Sequence, residues 1–194
     1  MGILMIVFLT LAATADSFII AFNYGVKKVI ISNSSNFFIS ILCLCGTLVS
    51  MFIGKTLGSL VSIHVADIIG SAVLVILAVY MLYNALKSDS GEDQTYTRDP
   101  SAVDKDDSKV IELRESLLIG ILLSVNNMGM GIGAGIAGMP VSITPVICAA
   151  ASFLFIKAGC VCGRHITSVK LSKTLEIISA VLVLLLGTLG FFNN

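Results

Sequence analysis

Asp16 is the one charged side chain in an otherwise uncharged apolar run from Gly2 to Val26. That run is long enough to cross a bilayer. A carboxylate at membrane depth costs about 3 kcal/mol on insertion scales, so it normally faces a bundle interior and meets an ion, a proton or a partner. Asn23 follows seven residues later on the same helix face, and Thr14 and Ser17 flank Asp16. A second polar group, Ser124-Val125-Asn126-Asn127-Met128, interrupts the uncharged stretch 116–156. One carboxylate with several neutral oxygens is the donor set preferred by hard divalent cations. Asp16, Asn23, Asn126 and Asn127 are therefore candidate metal ligands. Buried amides and hydroxyls also cross-link helices at about 0.6–2 kcal/mol each, and for the Asn and Ser residues that role stands beside the metal one. Asp67, Glu176 and Lys157 lie near predicted span ends and are candidate gating or proton-coupling groups.

Other chemistries find less support. Cys43 and Cys45, like Cys160 and Cys162, are two apart on predicted helices and point away from each other. No Cys-x-x-Cys spacing occurs, and five cysteines do not make a disulfide framework. No Ser/His/Asp or Cys/His constellation assembles, so neither an enzyme nor a resident cofactor is expected. The net charge is +0 and no nucleic-acid partner is expected.

The elements that must position these residues are transmembrane helices. Hydrophobic residues make up 56% of the chain and charged ones only 12%, with a mean hydropathy of +0.99. Soluble domains carry about 25% charged residues, so the lipid bilayer is the expected surroundings. Uncharged stretches recur at 29–54, 68–86, 116–156 and 177–194. The longest holds two spans, divided by Gly138-Met139-Pro140 and Pro145. The fold class predicted is an all-α polytopic membrane protein with helices at about 3–25, 37–60, 66–87, 115–137, 143–164 and 171–192. The N-terminal run reads as a first span, since it lacks a basic leader and contains Asp16.

All Lys and Arg residues except Lys55 and Lys157 fall in three alternate loops: after helix 1, in the central segment, and between helices 5 and 6. The positive-inside rule makes those loops cytoplasmic and both termini extracytoplasmic in a cell membrane. Three units follow: 1–87, a polar linker at 88–114, and 115–194. The linker is acidic and contains Gly91 and Pro100, but it has no EF-hand order, and a flexible solvated segment is expected.

The two halves resemble each other. Ser71–Leu77 recurs 108 residues later as Ser179–Leu185, and Asp67-Ile68-Ile69 recurs 109 later as Glu176-Ile177-Ile178. Gly54-Lys55 matches Gly163-Arg164 at 109, and Thr14–Ser17 aligns with Ser124–Asn127 at 110. Three helices per copy is odd, so the second copy must run the opposite way, as in the inverted repeats of many secondary transporters. Asp16 and Asn126 then occupy corresponding deep positions. Gly129, Gly131, Gly133 and Gly135 on helix 4 would let neighbouring backbones approach closely.

These residues resemble a known family. Leu11-Ala12-Ala13-Thr14-Ala15-Asp16-Ser17-Phe18, followed by Gly25, is similar to the first-helix Asp motif of MntP-type manganese efflux pumps. The extension Tyr24–Ile30, Leu82-Tyr83, and Ser124 to Gly135 resemble the YtaF sporulation membrane proteins, a related branch. The resemblance implies two three-helix repeats, export of Mn²⁺ with Asp16 as a functional carboxylate, and an acidic position at Glu176. One position departs: the family pattern has a second Asp in helix 4 where this chain has Asn126. Losing that charge should weaken the hold on a doubly charged ion. The alternative is a sporulation-associated scaffold or partner-binding protein without transport. A third reading is export of an amino acid or another small solute.

Overall fold

The structure, a computed structural model, describes residues 3–87, 103–104, 108–165 and 169–192. Among these residues it has six long helices: α1 Ile3–Val26, α2 Asn33–Ser59, α3 Ile63–Lys87, α4 Leu113–Ile136, α5 Thr144–His165 and α6 Val169–Phe192. Two short strands, β1 Ile30–Ile31 and β2 Val110–Ile111, pair in parallel. Windows in α1, α2, α4 and α5 are long and apolar enough to cross a membrane. Helices α3 and α6 carry shorter apolar cores, Ile68–Tyr83 and Ala180–Leu189.

The helix ends follow from local chemistry. Helix α2 starts four residues before the predicted position 37. Ser32 is extended, and its Oγ accepts the Ser35 amide at 3.1 Å. The polar run Ser32–Asn36, which reads as loop by hydropathy, is thus the cap and first turn of the helix. A capping box of Glu112 and Glu115 opens α4. Its C-terminal end closes at Gly138, with φ +72, where the Met139 amide reaches back to the Ala134 carbonyl at 3.0 Å. That left-handed residue, followed by Pro140, makes the predicted break between spans 4 and 5.

The distribution of side chains suits lipid. Large apolar residues face outward on several helices, including Phe52 (63% exposed) and Ile76 (68%). Thr14, Ser17, Ser50, Ser71 and Ser152 are buried inside. Hydroxyls turned inward from an apolar exterior can bond the helix backbone, as Thr14 Oγ1 does to the Thr10 carbonyl at 2.6 Å.

Helix α2 lies along α4 and α1 along α5, with α3 against α6; α1–α6, α3–α4 and α2–α5 are further neighbours. Both long pairs are parallel. Gly46, Gly54 and Gly58 of α2 meet Ser124, Ile132 and Ile136 of α4 in order, and Gly159 and Gly163 of α5 meet Phe18 and Phe22 of α1. The helix 4 glycines sort onto two faces as their spacing suggested. Gly131 and Gly135 lie against Ser50 and Met51 of α2, while Gly129 and Gly133 lie against Leu77 and Leu74 of α3. Between lipid-embedded helices the drive is close packing rather than water exclusion, so these small residues set which helices touch.

The expected solvated linker at 88–114 is exposed at Ser108–Val110 and Glu112–Arg114 but not at Val103, Asp104 and Ile111; residues 88–102 and 105–107 lie outside the described ones. Val103 is 2% exposed and packs with Tyr24, Ile39, Ile111 and Ile119. Asp104 is 7% exposed, and its carboxylate accepts the amides of Ser108 at 3.1 Å and Lys109 at 2.9 Å. The acid is satisfied by backbone donors rather than by water, and the single valine finds an apolar seat. No hydropathy window sees either.

Candidate functional site

Two apolar clusters divide the bundle by depth. One gathers Leu9, Ala12 and Ala13 of α1, Met51, Leu74, Ala78, Met130, Ala134 and Val183. The other, on the linker side, gathers Ile20 and Tyr24 of α1, Ile39 and Cys43 of α2, Ile119 and Leu123 of α4, and Ile156 and Cys160 of α5. Along α1 the stripe Leu9, Ala13, Asp16, Ile20 passes from the first cluster to the second at three- and four-residue steps. Along α4 the stripe Leu123, Asn127, Met130, Ala134 does the same in the opposite sense. Asp16 and Asn127 are therefore the polar steps on two core-facing stripes, at the level where one cluster gives way to the other.

Asp16 is half-buried. Asn127 is 3% exposed, and its Oδ1 is buried with no hydrogen-bond partner. A buried acceptor left unmade costs about 1–3 kcal/mol; Asn36 Oδ1 and Thr144 Oγ1 are in the same state. Around this level Ser17 and Ser152 share a hydrogen bond of 2.9 Å between α1 and α5, and Ser152 also bonds the Cys43 thiol of α2. Thr10 contacts Cys148 at 3.6 Å one level further from the linker. Ser124 Oγ donates to the Leu42 carbonyl at 3.3 Å, tying α4 to α2.

Of the remaining candidates, the side chains of Asn23 and Lys157 are described. Asn23 is half-buried on the Asp16 face, seven residues and about 10 Å along the axis toward the linker side. Asn126 lies next to Asn127 on α4, about 100° round the helix, and its side chain is outside the described ones. The side chains of Asp67 on α3 and Glu176 on α6 are likewise outside them. Lys157 is exposed on α5, its ammonium 5.0 Å from the centre of the Phe153 ring, a cation–π seat one turn back along its own helix. Cys43 and Cys160 are buried while Cys45 is exposed and Cys162 half-buried, as their two-residue spacing predicted. Among the described residues no three His, Cys, Asp or Glu side chains gather as a metal site. Sequence reasoning missed Ser152, Thr47 and Cys43 at this level, because single hydroxyls and thiols in apolar helices carry no distinguishing spacing.

A packing role for Asn127 is open to test. Asn127→Leu should leave the melting temperature unchanged or higher, since it removes an orphaned acceptor. A melting temperature several degrees lower would make Asn127 a helix cross-link instead.

Comparison with known proteins places this arrangement. The profile of the family described as "Putative manganese efflux pump" (MntP) matches residues 34–189. The chain is 28% identical over 210 residues to the "Probable sporulation protein YtaF" of Bacillus subtilis (strain 168), covering 96% of this chain and 98% of that protein. It is 25% identical over 118 residues to proteins named "Putative manganese efflux pump MntP" from Stenotrophomonas maltophilia strains R551-3 and K279a, covering 61% of this chain and 56% of each. No solved structure matches. With most of its length inside that profile, the chain belongs to the MntP family of manganese efflux pumps.

Proposed function

We propose that this protein is a multi-pass membrane transporter that exports Mn²⁺, with Asp16 and Asn127 meeting the ion between the two apolar layers. The observation that carries the reading is the unpaired, buried Oδ1 of Asn127 at the depth of Asp16, in a chain of this family. Asn23 is the next polar step toward the linker side, and Asn126 is placed by sequence beside Asn127. Six spans cross the membrane, both termini are extracytoplasmic, and the linker end faces the cytoplasm. Asp67, Glu176 and Lys157 are the gating or proton-coupling candidates.

The two halves form an inverted repeat, and several contacts support it. Exchanging α1, α2, α3 for α4, α5, α6 turns the α1–α5 pair into α4–α2 and the α1–α6 pair into α4–α3. The exchange holds at residue level. Gly54 abuts Ile132, and the corresponding Gly163 abuts Phe22; Gly135 abuts Met51, and the corresponding Gly25 abuts Cys160. Parallel packing of α2 with α4 requires α4 to oppose α1, as consecutive spans alternate. A pseudo-twofold axis in the membrane plane then runs through the level of Asp16 and Asn127, where such transporters hold their substrate.

Purified protein in liposomes should exchange ⁵⁴Mn²⁺ across the membrane, and Asn126→Asp should strengthen manganese binding by at least tenfold by returning a second unit charge to the site. Transport by Asn126→Asp but not by the native chain would favour the non-transporting sporulation protein. Counterflow of a small solute without metal would favour the third reading.

A further inference from the structure

The linker side of the bundle is fastened across its two halves. Residues Tyr24 to Ser35 form the corner between α1 and α2, Ser108 to Glu112 lead into α4, and Val103 and Asp104 precede them in sequence. Ile30 and Ile31 pair in register with Val110 and Ile111, and the Ile30 amide donates to the Lys109 carbonyl at 2.8 Å. Ser35 Oγ of α2 donates to the Ile111 carbonyl at 2.8 Å. Each strand is preceded by a lysine in the left-handed region, Lys28 at φ 61 and Lys109 at φ 59. A non-glycine residue there is held by its surroundings, and for Lys109 the holder is the Asp104 carboxylate on its amide. Val103, beside that acid, is a buried member of the linker-side apolar cluster, with residues of α1, α2, α4 and α5.

We propose that Val103, Asp104 and the β1–β2 pair form a strap that locks the linker-side gate shut, and that access to the Asp16 level from that side requires its release. This rests on the transporter reading above. Alternating access needs α4 to move against the α1–α2 corner. The strap is the one described feature outside the helices that joins those two parts, and its valine caps the apolar layer that must part. Hydrogen bonds to a charged carboxylate hold it, and they can be removed without touching any transmembrane residue.

Cys43 and Cys160 lie in the layer beneath Val103 and serve as native reporters. In a Cys45→Ser/Cys162→Ser background, a charged maleimide should label Cys160 slowly, with the label located by mass spectrometry. Asp104→Ala should raise that rate at least tenfold, and Val103→Ser should do the same through loss of the cap. Unchanged labelling in both variants, each melting cooperatively, would overturn the proposal. The converse test joins Ile30→Cys to Val110→Cys as a disulfide, formed with copper–phenanthroline and reversed with dithiothreitol. Oxidation should stop ⁵⁴Mn²⁺ exchange in liposomes and reduction should restore it; full exchange while cross-linked would overturn the strap. If the native protein moves no manganese, the transporter reading fails by itself, and the labelling rates still decide the strap.

Discussion

Asp16→Asn should abolish manganese export while leaving a folded protein of equal or greater stability. The side chain lies half-buried between two apolar layers, so its charge is held there at a cost of about 3 kcal/mol. Replacing it with an amide of the same shape returns that cost and should raise the melting temperature slightly or not at all. The same change removes the attraction between a carboxylate and a doubly charged ion. At an effective dielectric of 20, a pair of unit charges 4 Å apart is worth about 4 kcal/mol, and a divalent ion doubles it. Even after the ion's own dehydration takes most of that, a loss of at least a hundredfold in manganese flux is expected. Two measurements check this: ⁵⁴Mn²⁺ exchange in liposomes, and rescue of a manganese-sensitive host. Equal rescue by the variant would remove Asp16 from the site. A large drop in melting temperature would instead make it a structural ion-pair member.

The positions of Asp16 and Asn127 along two core-facing stripes show where sequence reasoning stops. A lone acid in an apolar run is legible because its cost is large and its type unmistakable. The six helices are legible for the same reason, since spans of apolar residues bounded by charges have few alternatives. The start of α2 was not, because Ser32–Asn36 reads as loop by polarity and as a capped first turn by geometry. The β1–β2 bridge was not, because two residues per strand carry no period. The buried seat of Val103 depends on a contact with helices some eighty residues earlier and tens of residues later, which no local window contains. At the site, Asn126 and Asn127 are alike in sequence. The burial of Asn127, 3% exposed, is what the structure adds. Orphaning of its Oδ1 is a property of three dimensions alone.

Gly163→Val should destabilise the bundle, and Gly54→Val should do so to the same extent. A Cβ at Gly163 would collide with the Phe22 carbonyl of α1 and stand 2.9 Å from the Val26 nitrogen and 3.0 Å from the Gly25 Cα. A Cβ at Gly54 would collide with the Ile132 carbonyl of α4 and stand 3.0 Å from its Cα. In both cases the obstacle is backbone, which cannot rotate away, so the two helices must separate along their length. Overpacking of this kind costs about 1–3 kcal/mol or more. For a chain of this size that lowers the melting temperature by roughly 5–10 °C, with the valine γ-methyls adding to it. Gly138→Ala is the control: it lies at φ +72 with nothing within 4 Å of a Cβ, so only the left-handed strain of about 1 kcal/mol applies. The comparison of Gly54 with Gly163 bears on more than packing. They correspond in the internal repeat, and each seats a helix of one half against a helix of the other. Matched losses are expected if the halves are equivalent about a pseudo-twofold axis, because the same contact is broken twice. A severe loss at one and a mild loss at the other, measured by thermal melting in detergent, would mean that the halves pack by different rules and that the level of Asp16 and Asn127 is not an axis.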